Sequence, residues 1–377
     1  MMRVLFLNPF HSGSHAAVAE GLARHSRHAI TLLTLSAAGG WRWRMRGAAV
    51  TFARRLWALT SGAPARQRFD LLLTTDLLDL ATFRGLAGEL AAGLPAAVYF
   101  HENQLTYPLP PGRQRDLSFA WTNYTSALAA DALLFNSAFH RGAFLDALPG
   151  LVGRYHDHQE LDLLAGIAAK AQVLHPGIDL ARLDAAPAPP RPAGPPVILW
   201  NSRWEYDKQP EAFFAALEAL EARGAAFRLI VMGEHIDPGA PVFVAARERF
   251  APRLLHWGYA PDTAAYAALL RQADVVVSTA IQEFFGIALV EAMYCGCLPI
   301  APRRLSYPEV IPAALHDLCL YDSQDELVAK LGQALAGAAG RPRADLRAAA
   351  ARYDWACMAP RYDAALAQAA TAGTAIR

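Results

Sequence analysis

The sequence predicts an α/β protein made of two doubly wound domains. Three observations predict it. Short apolar, strand-like runs alternate with segments of helical period along the chain. That alternation occurs twice, on either side of a stretch at 185–196 that holds six prolines in twelve residues. The length, 377 residues, suffices for two domains of ordinary size.

In the first half, Arg3 to Asn8 reads as a buried strand, and Pro9 to His15 as a turn containing Ser12, Gly13, Ser14 and His15. A helix follows with Ala17, Val18, Gly21 and Leu22 inward, and Ile30 to Leu35 is the second strand. The loop lacks the three-glycine dinucleotide fingerprint, so it does not point to NAD. Trp41 to Arg46 interleaves aromatic residues with Arg42, Arg44 and Arg46, and Arg54 and Arg55 follow. This segment reads equally as a nucleic-acid face and as an amphipathic helix with inward tryptophans. Phe69 to Thr74 is a strand, Asp76 to Leu90 a helix, and Ala96 to Phe100 the next strand. That strand delivers His101, Glu102, Asn103 and Gln104 to its carboxyl end, where open α/β sheets bind ligands. Breaks at Tyr107-Pro108 and at 110–112 precede a helix over Arg113 to Ala130. Asp131 to Asn136 is a short strand, and Asn136-Ser137 caps a helix through Leu148. Tyr155 to Glu160 reads as a helix start rather than a metal site, because its side chains alternate too closely to converge.

The expected domains are 1–184, a proline-rich linker at 185–196, 197–354, and a terminal helical segment at 355–377. Proline makes the linker semi-rigid and extended. In the second half, strands are expected at Val197 to Trp200, Phe227 to Met232, Leu254 to Gly258, Asp274 to Val277, Cys297 to Ala301 and Leu318 to Tyr321. Helices are expected at Glu211 to Arg223, Thr263 to Arg271, Glu326 to Leu335, Asp345 to Tyr353 and Trp355 to Ala369.

Composition excludes several classes. The hydrophobic fraction is 54%, but no apolar run approaches the ~20 residues of a membrane span, so no membrane partner is expected. The first ten residues lack the longer apolar core of a signal peptide, and four cysteines make no disulfide framework. A cytoplasmic protein is expected. The net charge of +1 hides an asymmetry. Residues 1–68 hold ten arginines and one acid, a net +9, which leaves −8 for the remainder. A cationic first segment suits a polyanionic partner.

The chemistry concentrates in the second half. Glu283 to Glu291 reads Glu-Phe-Phe-Gly-Ile-Ala-Leu-Val-Glu, a strand-to-helix loop running into a helix. One carboxylate sits on the loop and the other on the helix, and Gly286 between them lets backbone approach a ligand. The amides of a helix start favour an anion, and carboxylates can accept hydrogen bonds from sugar hydroxyls. Upstream, Arg203 and Lys208 lie on one strand-to-helix loop, where two cations suit a leaving diphosphate. Both read as loop residues whose loss spares the fold.

These motifs resemble those of retaining glycosyltransferases of the GT-B fold, whose two Rossmann-like domains face a cleft. The resemblance implies that Glu283 contacts the transferred hexose and Glu291 the ribose. It implies that Phe285 and Gly286 meet the sugar and diphosphate through their amides, and that Arg203 and Lys208 neutralise the leaving nucleotide. Gly13 and Ser14 would lie near the donor phosphates or the acceptor. No metal cofactor is implied, and no Asp-x-Asp motif is present. The last helix is expected to cross back onto the first domain.

A narrower resemblance rests on Asn8 to His15, Trp41 to Arg44, Tyr99 to Leu105 with Tyr107-Pro108, Phe135 to Ser137, Arg203 to Lys208, Glu283 to Gly286 and Tyr294 to Cys297. Together these are similar to the glycosyltransferase-like domain-containing protein 1 family, the tRNA-queuosine α-mannosyltransferases. The resemblance implies GDP-mannose as donor and queuosine of tRNA-Asp as acceptor, with no obligate protein partner. His101, Glu102 and Asn103, with Arg42, Arg44 and Arg46, are the expected acceptor side, and His101 serves as hydrogen-bond donor or base. Two alternatives stand beside it. One is a GT-B enzyme using another nucleotide sugar and a glycan or lipid acceptor, with 41–57 as a membrane-surface helix. The other is an inactive RNA-binding protein.

Overall fold

The computed structural model describes residues 1–61, 64, 68–110, 112–185, 194–234, 240–337 and 342–372. Most of the expected linker, 186–193, lies outside them, as does position 111. The chain forms two compact units, Met1–Ile178 with Trp355–Arg377, and Asp179–Asp354.

The first unit carries a parallel six-stranded sheet of β1 (Arg3–His11), β2 (Ala29–Ser36), β3 (Leu71–Thr75), β4 (Ala96–Phe100), β5 (Ala132–Phe135) and β6 (Ala171–Val173). Their order is β2-β1-β3-β4-β5-β6, with every pairing parallel. Such a sheet is buried on both faces, so its strands read as continuous apolar runs. The pleat then divides each strand between two cores. Leu5, Leu7, Leu72, Val98, Phe100, Leu133 and Phe135 face one core, with Phe52, Phe83 and Phe144 from helices. Val4, Phe6, Leu71, Leu73, Tyr99 and Leu134 face the other, with Val18 and Leu22. The helix Trp355–Ala372 completes this second core through Trp355, Met358, Tyr362 and Leu366. Asp363 on it accepts hydrogen bonds from Ser26 Oγ at 2.5 Å and the Arg27 amide at 3.2 Å.

The second unit carries β7 (Val197–Asn201), β8 (Arg228–Met232), β9 (Leu254–Gly258), β10 (Val275–Val277), β11 (Leu298–Pro302) and β12 (Leu320–Tyr321). Their order is β12-β11-β10-β7-β8-β9, again with every pairing parallel. In both sheets the winding reverses once, between β1 and β3 in the first and between β7 and β10 in the second. Ligands of doubly wound sheets bind beyond the carboxyl ends of strands at such a reversal.

Several local expectations are corrected. β1 continues to His11, and the helix Gly13–His25 begins at Gly13, so Ser14 lies in its first turn. Its buried residues include His15, Val18, Ala19 and Leu22, at the i, i+3, i+4, i+7 spacing, and Ala17 is exposed. Residues 76–79 form a turn, because Asp79 caps the helix Leu80–Ala87 through the Thr82 amide. Asp116 likewise delays the next helix to Leu117–Ala129. Tyr155 to Glu160 is irregular, with positive φ at His158 and Glu160, and the helix starts only at Leu163. At 316–319 the chain makes a helical turn before β12. The helix Pro241–Arg249 was not expected from the sequence, although a proline at its first position marks it.

Candidate functional site

In the second unit, the reversal brings together the loops that leave β7 and β10. They are separated by more than seventy residues of chain and braced by direct bonds. Thr279 Oγ1 donates to the Lys208 carbonyl at 2.7 Å, and the Ile281 amide to the Asp207 carbonyl at 2.8 Å. Ser306 Oγ donates to the Phe285 carbonyl at 2.9 Å and holds the chain just before Gly286. Gly286 has φ 95°, a left-handed conformation that glycine adopts without strain, and it caps the helix Ile287–Tyr294. The first amides of that helix have no acceptor within it.

Lys208 differs from its expected exposed place. It is 7% exposed, and its Nζ donates to the Gln282 carbonyl at 2.7 Å. The same ammonium lies 3.3 Å from Asp207 Oδ2 and 3.4 Å from Glu283 Oε2. Burial pulls its pKa down, but Glu283 and Asp207 outweigh burial and leave it above the ordinary lysine value. Lys208 is therefore the counter-ion that orients Glu283. Arg203 stands on the same loop with its side chain about half exposed, 3.0 Å from Glu205.

Glu291 is buried, and both its oxygens are engaged. Oε1 accepts from the Arg182 guanidinium, and Oε2 from Tyr266 Oη at 2.6 Å. Asn201 Nδ2, at the end of β7, donates to Tyr266 Oη at 2.8 Å. Burial first, then the Glu291 charge, pushes the Tyr266 hydroxyl well above the usual phenol range, so it stays a donor. Arg182 and Tyr266 escaped the sequence reading, because neither belongs to a local motif around Glu291.

In the first unit, β1, β3, β4 and β5 deliver a cluster of buried polar residues. The His101 ring lies on that of His15, with centroids 4.0 Å apart and planes 32° apart. Asp76 Oδ1 accepts the His101 amide at 2.8 Å, and Asn136 Nδ2 donates to the His101 carbonyl at 2.9 Å. His101 Nε2 and His15 Nδ1 are buried without a hydrogen-bond partner among the described residues. Burial, and then His15 and His140, hold His101 well below the ordinary imidazole pKa, and burial takes His15 down to about 3. Both rings are neutral. Burial, then the Glu102 charge, raises Asp76 well above the carboxylate range. His15 and Asp76 were not singled out as site residues from the sequence.

The other expected acceptor residues divide. Glu102 accepts from Gln104 Nε2 at 2.8 Å. Asn103 is fully buried, and its side chain closes a turn by accepting the Leu105 and Thr106 amides at 3.0 and 2.9 Å. It is a loop-shaping residue rather than an available contact. Arg115 clamps the same loop through the carbonyls of Gln104 and Tyr107. Arg42 is exposed, with its guanidinium over Trp41. Arg44 is spent on the Ser36 carbonyl, and Arg46 pairs with Asp116 at 3.2 Å and bonds Ser118. Gly13 and Ser14 are exposed. No cluster of three or more metal-ligating side chains occurs among the described residues.

Residues 3–178 match the family described as tRNA-queuosine alpha-mannosyltransferase N-terminal, and residues 183–353 match glycosyl transferases group 1. The tRNA-queuosine alpha-mannosyltransferase of Drosophila melanogaster is 32% identical over 335 residues, 87% of this chain and 85% of that protein. The GDP-mannose:cellobiosyl-diphosphopolyprenol alpha-mannosyltransferase of Xanthomonas campestris is 29% identical over 210 residues, 53% of this chain and 54% of that protein. Among solved structures, sucrose-phosphate synthase (tll1590) from Thermosynechococcus elongatus superimposes with TM-score 0.69 at 16% identity, covering 98% of this chain and 99% of that one. A glycosyltransferase from Rickettsia africae ESF-5 gives 0.70 at 15% identity, covering 100% and 99%. At such identities these two likenesses concern the fold alone. Two parallel six-stranded sheets, a carboxylate and two cations on the loops at a sheet reversal with a second carboxylate on the helix that follows, and this kinship together make the chain a GT-B glycosyltransferase that belongs to the tRNA-queuosine alpha-mannosyltransferase family.

Proposed function

We propose that the chain transfers a mannosyl group from GDP-mannose to the cyclopentenediol of queuosine in tRNA-Asp, in the cytoplasm. The observation that carries this reading is the match of residues 3–178 to the N-terminal part of the queuosine enzymes, beside a general transferase match over 183–353. The names of several other relatives include GDP-mannose, which supports the donor.

In this reading the second unit holds the donor. Arg203 and the helix start at Gly286 face the diphosphate, and Glu283, oriented by Lys208, takes the hexose hydroxyls. Glu291, held by Arg182 and Tyr266, accepts from the ribose on its remaining lone pairs. The anomeric carbon loses its bond to the diphosphate and gains one to the queuosine hydroxyl on the same face. The hydroxyl proton passes to the departing phosphate oxygen. Fixed charges at the leaving group supply most of the rate. The neutral His101 lies on the acceptor side as a hydrogen-bonding group. No divalent ion is assigned a step, so chelators should leave turnover intact.

The test incubates tRNA-Asp, with and without queuosine, with GDP-mannose and weighs the nucleosides. Only the queuosine form should gain one hexose. Equal labelling of both, or labelling of a glycan or lipid acceptor and neither tRNA, overturns the acceptor reading.

A further inference from the structure

The helix Gly40–Thr60 buries Met45, Ala48, Ala49, Phe52, Ala53 and Leu56 against the first unit. Its opposite side is unusual. Trp43 is 61% exposed, Val50 58% and Trp57 54%. These three residues and Arg54 follow an i, i+7, i+11, i+14 spacing, which places them on one stripe of the helix. The two indoles stand ~21 Å apart along it, at 1.5 Å per residue.

The first indole is pre-positioned. A Cβ at Gly47 would lie 3.1 Å from Trp43 Cε2 and Cζ2, and one at Gly39 would lie 3.3 Å from Trp43 Cδ1. The ring therefore rests along bare backbone, supported from its own helix. Glycine within a helix costs ~1 kcal/mol relative to alanine, and here it makes room for a ring that the first unit does not bury. The helix carries five arginines and no acid, of which Arg42, Arg46, Arg54 and Arg55 are exposed. Its first turns also reach the polar cluster of the first unit. Trp41 packs on Phe119 with centroids 5.1 Å apart, Met45 joins Leu77 and Phe119, and Phe10 of the same group touches His15.

Exposed indoles on a helix of one charge sign fit a ligand that offers flat rings and phosphates together. We propose that this face is an RNA-docking platform, on which Trp43 and Trp57 stack unpaired bases while Arg54, between them on the stripe, meets the phosphates. The proposal rests on the reading that the acceptor is a tRNA, and adds which surface holds it and by which chemistry. Base–aromatic stacking tolerates any sequence, so the platform would hold the RNA without selecting it.

The test measures binding of tRNA-Asp by anisotropy across a salt series. Trp43→Ala and Trp57→Ala should each weaken affinity by roughly ten-fold, the scale of one lost stack. The slope of log K against log salt should not change, since no cation is lost. Trp43→Phe keeps a ring and should retain most of the affinity. Arg54→Ala should instead lower the slope by about one counter-ion. Indole fluorescence should be quenched by RNA in the wild type and far less in the double alanine variant, and melting curves of all variants should match. Alanine variants that bind tRNA like the wild type overturn the proposal. So does binding to vesicles of phosphatidylglycerol that needs both indoles while tRNA binding does not. If tRNA binds through the indoles but no mannose is transferred, the platform stands and the proposed reaction falls. If alanine variants of undiminished affinity transfer mannose to queuosine tRNA, the reaction stands and the platform falls.

Discussion

Lys208→Ala takes an ammonium out of a buried group of acceptors, and its consequences can be worked from the geometry. The lysine sits within 3.4 Å of two carboxylates and 2.7 Å of the Gln282 carbonyl. Its side chain is 9% exposed and that of Asp207 2%, whereas that of Glu283 is 29% exposed. Removing one partner of a buried ion pair typically costs ~3–5 kcal/mol, because the other charge stays out of water. Water reaches Glu283, and Asp207 keeps other interactions, so the lower end, about 3 kcal/mol, is expected. A unit of this size loses ~2–4 °C of Tm per kcal/mol. The second unit should therefore melt roughly 6–12 °C lower. Differential scanning calorimetry reads this directly. Asp207→Asn added to Lys208→Ala should recover part of the loss, because the stranded charge is gone. A Tm within about 2 °C of wild type for Lys208→Ala, on the scale of a surface change, would refute the counter-ion role and return Lys208 to a loop cation free to meet phosphate. Turnover should be measured well below the lowered Tm, where loss of Glu283 orientation is separable from unfolding.

Other expectations follow from the same geometry. Arg203→Ala should reduce turnover by roughly 10²- to 10³-fold with an unchanged melt, since its side chain is about half exposed; unaltered turnover would remove it from the diphosphate. Glu291→Gln should weaken GDP binding in calorimetry while Glu283→Gln leaves it close to normal, and equal losses would refute the division of roles. The first unit should be acid-sensitive. His15 is neutral down to about pH 3 when folded, but an unfolded imidazole protonates near 6.5. Between these values the unfolded chain binds more protons, so stability is full above ~6.5 and falls as pH drops, by about 1.4 kcal/mol per unit for each such histidine. The raised Asp76 works in the opposite direction, costing stability as pH rises above the unfolded carboxylate value. His15→Phe should flatten the fall of Tm between pH 6.5 and 4, and an unchanged slope would count against a buried neutral His15.

What the sequence determined by itself was what depends on neighbours along the chain. Uninterrupted apolar runs such as Leu71 to Leu73 and Val275 to Val277 marked buried parallel strands, because both faces of such strands are covered. Helical spacing, capping residues such as Ser137 and breaks at glycine and proline placed most helices. Motifs compact enough to sit on one loop, Arg203 to Lys208 and Glu283 to Gly286, carried the family and the chemistry. Tertiary structure alone decided what those side chains touch. Lys208 meets Glu283 because β7 and β10 lie side by side at the sheet reversal, although some seventy residues separate them in the chain. Glu291 finds Arg182 and Tyr266 through the same long-range packing, and no spacing rule encodes a pair 109 residues apart. Arg44 and Arg46 looked like free cations until folding brought the Ser36 carbonyl and Asp116 to them. The exposure of Trp43 and Trp57 was also invisible in one dimension, because a tryptophan's burial is set by what the rest of the domain places against its side of the helix, and here that leaves both indoles more than half exposed.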